Sequence, residues 1–149
     1  MVRMNALKQM IKNKYFYILI LALVTVPFLF VSYFYILAQR TGLEGRRGGP
    51  QDAFRHIYAS AFTARYVSPR VVKLVTAMSE RNPHSAYDQM DRHNNRLGVR
   101  IGLSQVPNLY QAVLDKVHHA QITPETEDHA QILESTKWQS RDIFIFKSE

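Results

Sequence analysis

The stretch PQDAFRHIYASAFTARYV, residues 50–67, has the pattern of an amphipathic helix. Its leading proline suits the first helical position, and Asp52 lies in the first turn, where the helix dipole favours an anion. Phe54, Ile57 and Ala61 recur at helical spacing and share one face. The stretch therefore predicts a helix that buries this apolar face in a protein core.

A second stretch, SAYDQMDRHNNRLGVRI at residues 85–101, predicts a helix that packs on the first. Ser85 is a typical N-cap residue, and Gly102 is a typical helix terminator. Gly98 and Gly102 lie on one side of this segment, and their small size allows another helix to approach closely.

Proline placement divides the rest of the chain into further helices. Ser68-Pro69 predicts a helix start, and Asn82-Pro83 ends that helix. Apolar spacing predicts another helix over residues 107–119, and Thr123-Pro124 predicts the start of a fifth, more polar one. We therefore predict an all-α domain of about four to five helices over residues 50–149.

Two features near the end of the chain stand apart from this helical pattern. Trp138 is expected to anchor the tail by packing. Residues 142–146 have strand propensity but lack a visible partner strand.

Residues 15–39 form an uncharged, largely apolar segment. A helix that spans a bilayer needs ~20 such residues. Aromatic residues mark both ends, at 15–17 and 33–35, as they do at membrane interfaces. A cleaved signal peptide and a buried helix of a soluble protein are the alternatives, but both usually have a shorter uncharged run. We therefore predict a single N-terminal transmembrane helix over residues 15–39.

Charge is distributed unevenly on the two sides of this segment. Residues 1–14 carry four basic groups and no acidic one, whereas residues 40–149 carry 15 basic and 12 acidic groups. Residues 40–49 are glycine-rich and are interpreted as a linker. The positive-inside rule favours a cytoplasmic N-terminus, so we expect a single-pass protein of the bacterial inner membrane whose domain lies in the periplasm.

Composition also excludes several classes of function. The net charge of +7 owes more than half its excess to the segment before the membrane helix. No basic stripe interleaved with aromatic residues is visible, so nucleic acid is not an expected partner. The absence of cysteine excludes disulfides and thiolate metal sites. The expected partners are the lipid bilayer and an envelope protein.

Two polar stripes run along the helices over residues 50–67 and 85–101. Asp52, His56 and Ser60 (or Thr63) recur along the first helix, and Asp88, Asp91 and Asn95 recur along the second. If the stripes face each other, five side chains come together: Asp52, Arg55, His56, Asp91 and Asn95. We call this set the polar cluster.

A carboxylate beside a histidine has two chemical uses. It selects the imidazole tautomer and stabilises the imidazolium that forms when the histidine takes a proton. The same groups can instead hold a divalent metal ion, the candidate cofactor, through oxygen and nitrogen ligands. A purely structural hydrogen-bond network and two solvated helix faces are the alternatives. The spacing of these residues alone does not distinguish between a proton-transfer site, a metal site, a structural network and solvated helix faces.

The residues 48–61 and 90–98 resemble a bacterial helical domain family of unestablished activity. That family pairs a D-A-[FY]-R-H-x-x-x-S-A helix with a later D-x-x-N-N-x-x-G helix. The resemblance covers residues 48–102 and implies a small helical domain, sometimes attached to membrane anchors. The positions that it marks are Asp52, Arg55, His56, Asp91, Asn94, Asn95 and Gly98.

The same resemblance implies a histidine-glutamate pair at the end of the helix that Pro69 begins. Here that region reads TAMSER, residues 76–81, so the histidine is missing and only Glu80 remains. This departure leaves open whether the domain is an enzyme.

These observations lead to three hypotheses. The first is a hydrolase-like or metal-binding site, with His56, Asp91 and Asp52 as catalytic groups and Arg55, Asn94 and Asn95 as substrate-binding groups. The second is a non-enzymatic interaction or assembly protein of the bacterial envelope, in which the polar cluster is structural. The third is a membrane-anchored immunity or exclusion factor.

Overall fold

The computed structural model describes residues 2–140, with side chains from residue 13 onward, and it is all-helical. The chain divides into two compact units at the junction between Tyr35 and Ile36. The helices and the one 3-10 turn of the described residues are α1 (Val2–Gln39), α2 (Pro50–Tyr66), α3 (Pro69–Ser79), α4 (Ala86–Leu103), α5 (Leu109–His118) and η1 (Ser135–Lys137). The predicted fold class is confirmed.

Most of α1 forms the first unit and has the properties of a membrane span. The candidate span is Asn13–Gln39, with a mean hydropathy of 2.3, and its most apolar part is not buried within the protein. Apolar side chains on all sides of the helix are exposed; Leu21 and Phe28, for example, are 66% and 68% exposed. A helix that is apolar all round is stable in a hydrocarbon environment, so α1 is a candidate membrane span by its length and composition.

The second unit is built on the contact between α2 and α4. A Cβ atom added to Gly98 would lie inside van der Waals contact of the Ile57 carbonyl oxygen, and one on Gly102 would do the same to Ala61. The prediction that Gly102 terminates its helix is wrong, because α4 continues to Leu103. Gly102 is needed for close approach of the two helices rather than for a turn.

The core lies between α2, α4 and α5. Phe54, Ile57 and Ala61 are fully buried, as their spacing predicted. Leu97 of α4 and Val113 of α5 complete the centre of this core. The caps follow the sequence as well, because Ser68 and Ser85 accept backbone N–H groups at the starts of α3 and α4.

The segment after α5 corrects the prediction of a fifth helix from Thr123-Pro124. Residues 121–134 form irregular structure, closed by an isolated bridge between Gln121 and Gln131. Asn94 binds this segment: its amide donates to the Gln131 carbonyl and accepts from the Gln131 N–H, at 2.8 and 2.9 Å. These bonds satisfy backbone groups that a helix would otherwise satisfy.

Trp138 packs as the sequence predicted. Its indole N–H donates to the Leu133 carbonyl at 2.7 Å, and its ring lies against Gly45 and Gly49. Residues 142–146, which have strand propensity, lie outside the described residues.

The glycine-rich segment 40–49 is packed against the domain. Gly45, Gly48 and Gly49 are buried, and Gly45 and Gly48 have positive φ values of 71° and 80°. Glycine adopts this left-handed conformation without the strain that a side chain brings. The segment therefore forms a structured entry into α2, and the compact unit begins before it, at Ile36.

Candidate functional site

The two polar stripes face each other across the contact between α2 and α4. His56 Nε2 lies 3.5 Å from Asp91 Oδ1 and 3.7 Å from Asp52 Oδ1. The side chains of Asp52, Asp91 and His56 are 1%, 14% and 19% exposed. Solvated helix faces, one of the alternatives, are therefore excluded for these three residues.

Asn95 sets the orientation of the His56 ring. Its Oδ1 lies 3.3 Å from His56 Nδ1 and accepts the Ser60 hydroxyl at 2.9 Å. Its Nδ2 donates to Thr76 Oγ1 at 3.1 Å. With the amide held this way, Asn95 Oδ1 faces His56 Nδ1 as an acceptor, and His56 Nε2 faces the two aspartates.

Asp52 is held from two sides. Its Oδ2 accepts the Gly48 N–H at 2.7 Å, and its Oδ1 forms an ion pair with Arg55 Nη2. The same Nη2 lies 3.3 Å from His56 Nε2. A buried carboxylate needs such partners, because an unpaired charge in the protein interior is strongly destabilising.

Asp91 is the least compensated member of the polar cluster. Burial, together with the charges of Asp52 and Glu80, raises its pKa from 3.8 to about 7 against the opposite effects of His56 and Arg55. Its Oδ1 is buried and accepts no hydrogen bond from the described residues. Perturbed ionisation of this kind is typical of functional sites, although structural ion pairs also produce it.

The three side chains fit a divalent metal ion. Each offers one ligand atom, and these atoms all lie within 4.8 Å of one another. Two ligands in tetrahedral geometry at ~2.1 Å from a zinc ion are separated by ~3.4 Å. The observed distances from His56 Nε2, 3.5 and 3.7 Å, are close to this value. The hydrogen bond from Nδ1 to Asn95 is the outer contact that metal-binding histidines usually make.

The family model described as Domain of unknown function (DUF6973) matches residues 33–124, more than half of the 149-residue chain. The chain belongs to the DUF6973 family. No curated protein and no solved structure matches it. The match spans α2 to α5 and every member of the polar cluster, and it agrees with the expected membership in a family of unknown function.

In the DUF6973 domain, three polar residues of α4 lie outside the polar cluster: Asn94, Asp88 and His93. Asn94, predicted to bind substrate, is fully buried and holds Gln131 instead. Asp88, on the same predicted stripe as Asp91, accepts the Asn82 N–H at 2.8 Å beside the start of α4. His93 lies 2.7 Å from the His129 carbonyl oxygen through its Nε2, outside the polar cluster.

Two groups of the DUF6973 site were not predicted from residue spacing. The Gly48 N–H belongs to a loop, and only the folded backbone brings it to Asp52. Thr76 lies on α3 and reaches Asn95 from a third helix. Thr76 is a polar residue in the mostly apolar helix over residues 69–79, a signal that could have indicated it. Glu80, which the resemblance marked, acts on Asp91 through its charge.

Proposed function

We propose that the DUF6973 domain binds one divalent metal ion through His56, Asp52 and Asp91. The observation that carries this proposal is the convergence of one imidazole nitrogen and two carboxylate oxygens on a common, mostly buried point. Their chemistry suits zinc or manganese, which imidazole and carboxylate ligands bind readily.

The metal site supports a hydrolase-like reaction in a membrane-anchored domain of the bacterial envelope. A metal ion held by His56, Asp52 and Asp91 would lower the pKa of a bound water and polarise a carbonyl or phosphoryl oxygen. Arg55 is 27% exposed and offers a guanidinium beside the site for an anionic or carbonyl oxygen of the substrate. Asn95 acts by holding the His56 ring through Nδ1.

Arg55 imposes a condition on this proposal. Its Nη2 lies 3.3 Å from His56 Nε2, so its positive charge stands beside the proposed metal position. The Arg55 side chain is partly exposed and would move toward solvent if His56, Asp52 and Asp91 held a metal ion. Replacing Arg55 by glutamine therefore removes a competing cation and raises the affinity for metal.

Calorimetric titration of the full chain in detergent micelles tests the metal site. Chelator-treated protein is titrated with Zn²⁺ and with Mn²⁺, and one site per chain is expected. His56→Ala and Asp91→Asn weaken binding by about 100-fold or more, whereas Arg55→Gln strengthens it. His93→Ala is the matched control, because His93 lies on α4 outside the polar cluster. Absent binding, or equal binding by wild type and His56→Ala, contradicts the proposal.

The hydrolase reading is tested separately on the same preparations. Hydrolysis of p-nitrophenyl ester and phosphate substrates that requires His56 and is abolished by chelator supports it. Metal binding without any such hydrolysis agrees with the metal site and contradicts the proposal that the domain is a hydrolase.

A second candidate function rests on the exposed face of α3. Val71, Leu74, Val75 and Met78 recur at helical spacing and are 39%, 61%, 56% and 58% exposed. Such a face is typical of a protein interface, and the basic residues on α3 favour a partner protein whose apolar groove is bordered by acidic groups. Leu74→Glu disrupts this interface without affecting metal binding. If Leu74→Glu and wild type yield the same amount of cross-linked partner protein, the interaction hypothesis is contradicted.

A further inference from the structure

A cleft of about 700 Å³ lies between α3 and α4, beside the polar cluster. Its apolar lining comes from Pro69, Val72, Ala77 and Val99. This volume falls within the range of small-molecule sites, which are mostly apolar with a few placed polar groups. The cleft reaches the site because Thr76 and Asn95, which form the hydrogen-bond network of His56, also line it.

The charged residues that line the cleft are mostly positive. They are Lys73, Arg92, Arg96, Arg100 and one acid, Glu80. Arg100 is engaged by Glu127 and Asp128. The cationic groups left to the cleft are therefore those of Lys73, Arg92 and Arg96, of which Arg92 also acts electrostatically on Asp88.

Arg92 gives the most specific signal for an anionic ligand. Its Nε and Nη2 atoms are buried and have no hydrogen-bond partner among the described residues. Buried donors without acceptors are costly. These two atoms form the edge of a guanidinium that pairs side-on with two oxygens of a phosphate or carboxylate. A turn of the side chain into the cleft presents this edge to such a group.

We propose that the α3–α4 cleft binds a single-chain anionic amphiphile with a phosphomonoester head group. Its two negative charges match the cluster of Lys73, Arg92 and Arg96, and its alkyl chain matches the apolar lining. The candidate membrane span in the same chain would keep the domain near a source of such molecules. This binding does not depend on the metal site, although it places the head group near the polar cluster.

Calorimetric titration with octyl phosphate tests the cleft. The full chain is held in phosphatidylcholine nanodiscs with chelator present, and the heat of partitioning into empty nanodiscs is subtracted. Wild type is expected to bind one molecule saturably. Arg92→Gln/Arg96→Gln weakens binding by about tenfold or more, and Lys73→Gln, at an exposed position, weakens it by about threefold. Arg70→Gln is the matched control, because Arg70 is an exposed arginine of α3 outside the cleft.

Two further ligands separate the parts of the proposal. Inorganic phosphate tests the head group alone, and octanol tests the chain alone; both are expected to bind about tenfold more weakly than octyl phosphate or not at all. His56→Ala retains octyl phosphate binding, so failure of the metal site does not affect this result. The proposal is contradicted if wild type and Arg92→Gln/Arg96→Gln bind octyl phosphate with equal affinity, or if wild type binds inorganic phosphate more tightly than octyl phosphate.

Discussion

Asp91 makes the stability of the domain depend on pH. Because folding raises its pKa from 3.8 to about 7, protonated Asp91 stabilises the fold fully below pH 3.8, and this stabilisation is lost as the pH rises through about 7. Asparagine does not ionise, so Asp91→Asn should unfold at a temperature ~5 °C above wild type at pH 8. At pH 4, close to the lower end of this range, the difference should be small. Thermal unfolding followed by circular dichroism with chelator present measures both. An equal difference at the two pH values contradicts the account.

Asn94 and Asn95 are adjacent in sequence, but Asn94 binds Gln131 and Asn95 contacts His56. Asn94→Ala removes both bonds to Gln131 and should cost about 2 kcal/mol of unfolding free energy while leaving metal affinity unchanged. Asn95→Ala removes the partner of His56 Nδ1 and should weaken metal binding by about tenfold. Denaturant unfolding and calorimetry on both variants separate the two effects. A loss of metal affinity in Asn94→Ala would contradict this division.

At the scale of single residues, a contact could be predicted from the sequence where helical spacing places the residues on one face of a helix. Asp52 and His56 share one helical stripe, so their meeting with Asp91 could be predicted from spacing once the two helices pack. Asn94 and Asn95 are both polar, and only the path of the segment around Gln131 shows that one of them serves the fold. That path depends on contacts distant in sequence.

At the scale of elements, the close approach of α2 and α4 determines the site. A methyl group on Gly98 or Gly102 would overlap a backbone carbonyl of α2. Gly98→Ala and Gly102→Ala should each cost about 2 kcal/mol and weaken metal binding, because they separate His56 from Asp91. Gly42→Ala is the control: Gly42 has a φ of 73° and nothing within 4 Å, so it should cost about 1 kcal/mol and leave the site intact. Equal metal affinity in Gly98→Ala and wild type contradicts this dependence.

Helix starts were predicted well, because Ser68 and Ser85 cap their helices by local contacts. The fifth helix was wrong because a cap and a proline indicate a start only, and the residues after Pro124 lack an apolar face. Gly102 was misread as a terminator because a glycine that allows close packing has the same local signal as one that ends a helix.

For the whole molecule, the predicted orientation places the domain on the far side of the membrane from the N-terminus. The chain has no cysteine, so single cysteines report position without background. Glu125→Cys should react with a membrane-impermeant maleimide in intact cells, because Glu125 is exposed. Asn5→Cys should react only after the membrane is permeabilised. The reverse pattern would place the domain in the cytoplasm.

Anomalous diffraction tests most directly whether His56, Asp52 and Asp91 together hold one metal ion. Crystals of the full chain soaked with Mn²⁺ should give an anomalous difference peak at ~2.0–2.3 Å from His56 Nε2 and from one oxygen of each aspartate. The Arg55 side chain should then lie away from Nε2. If the polar cluster shows no anomalous difference peak and Arg55 still lies between Asp52 and His56, the metal site is contradicted. The polar cluster would then be a structural hydrogen-bond network.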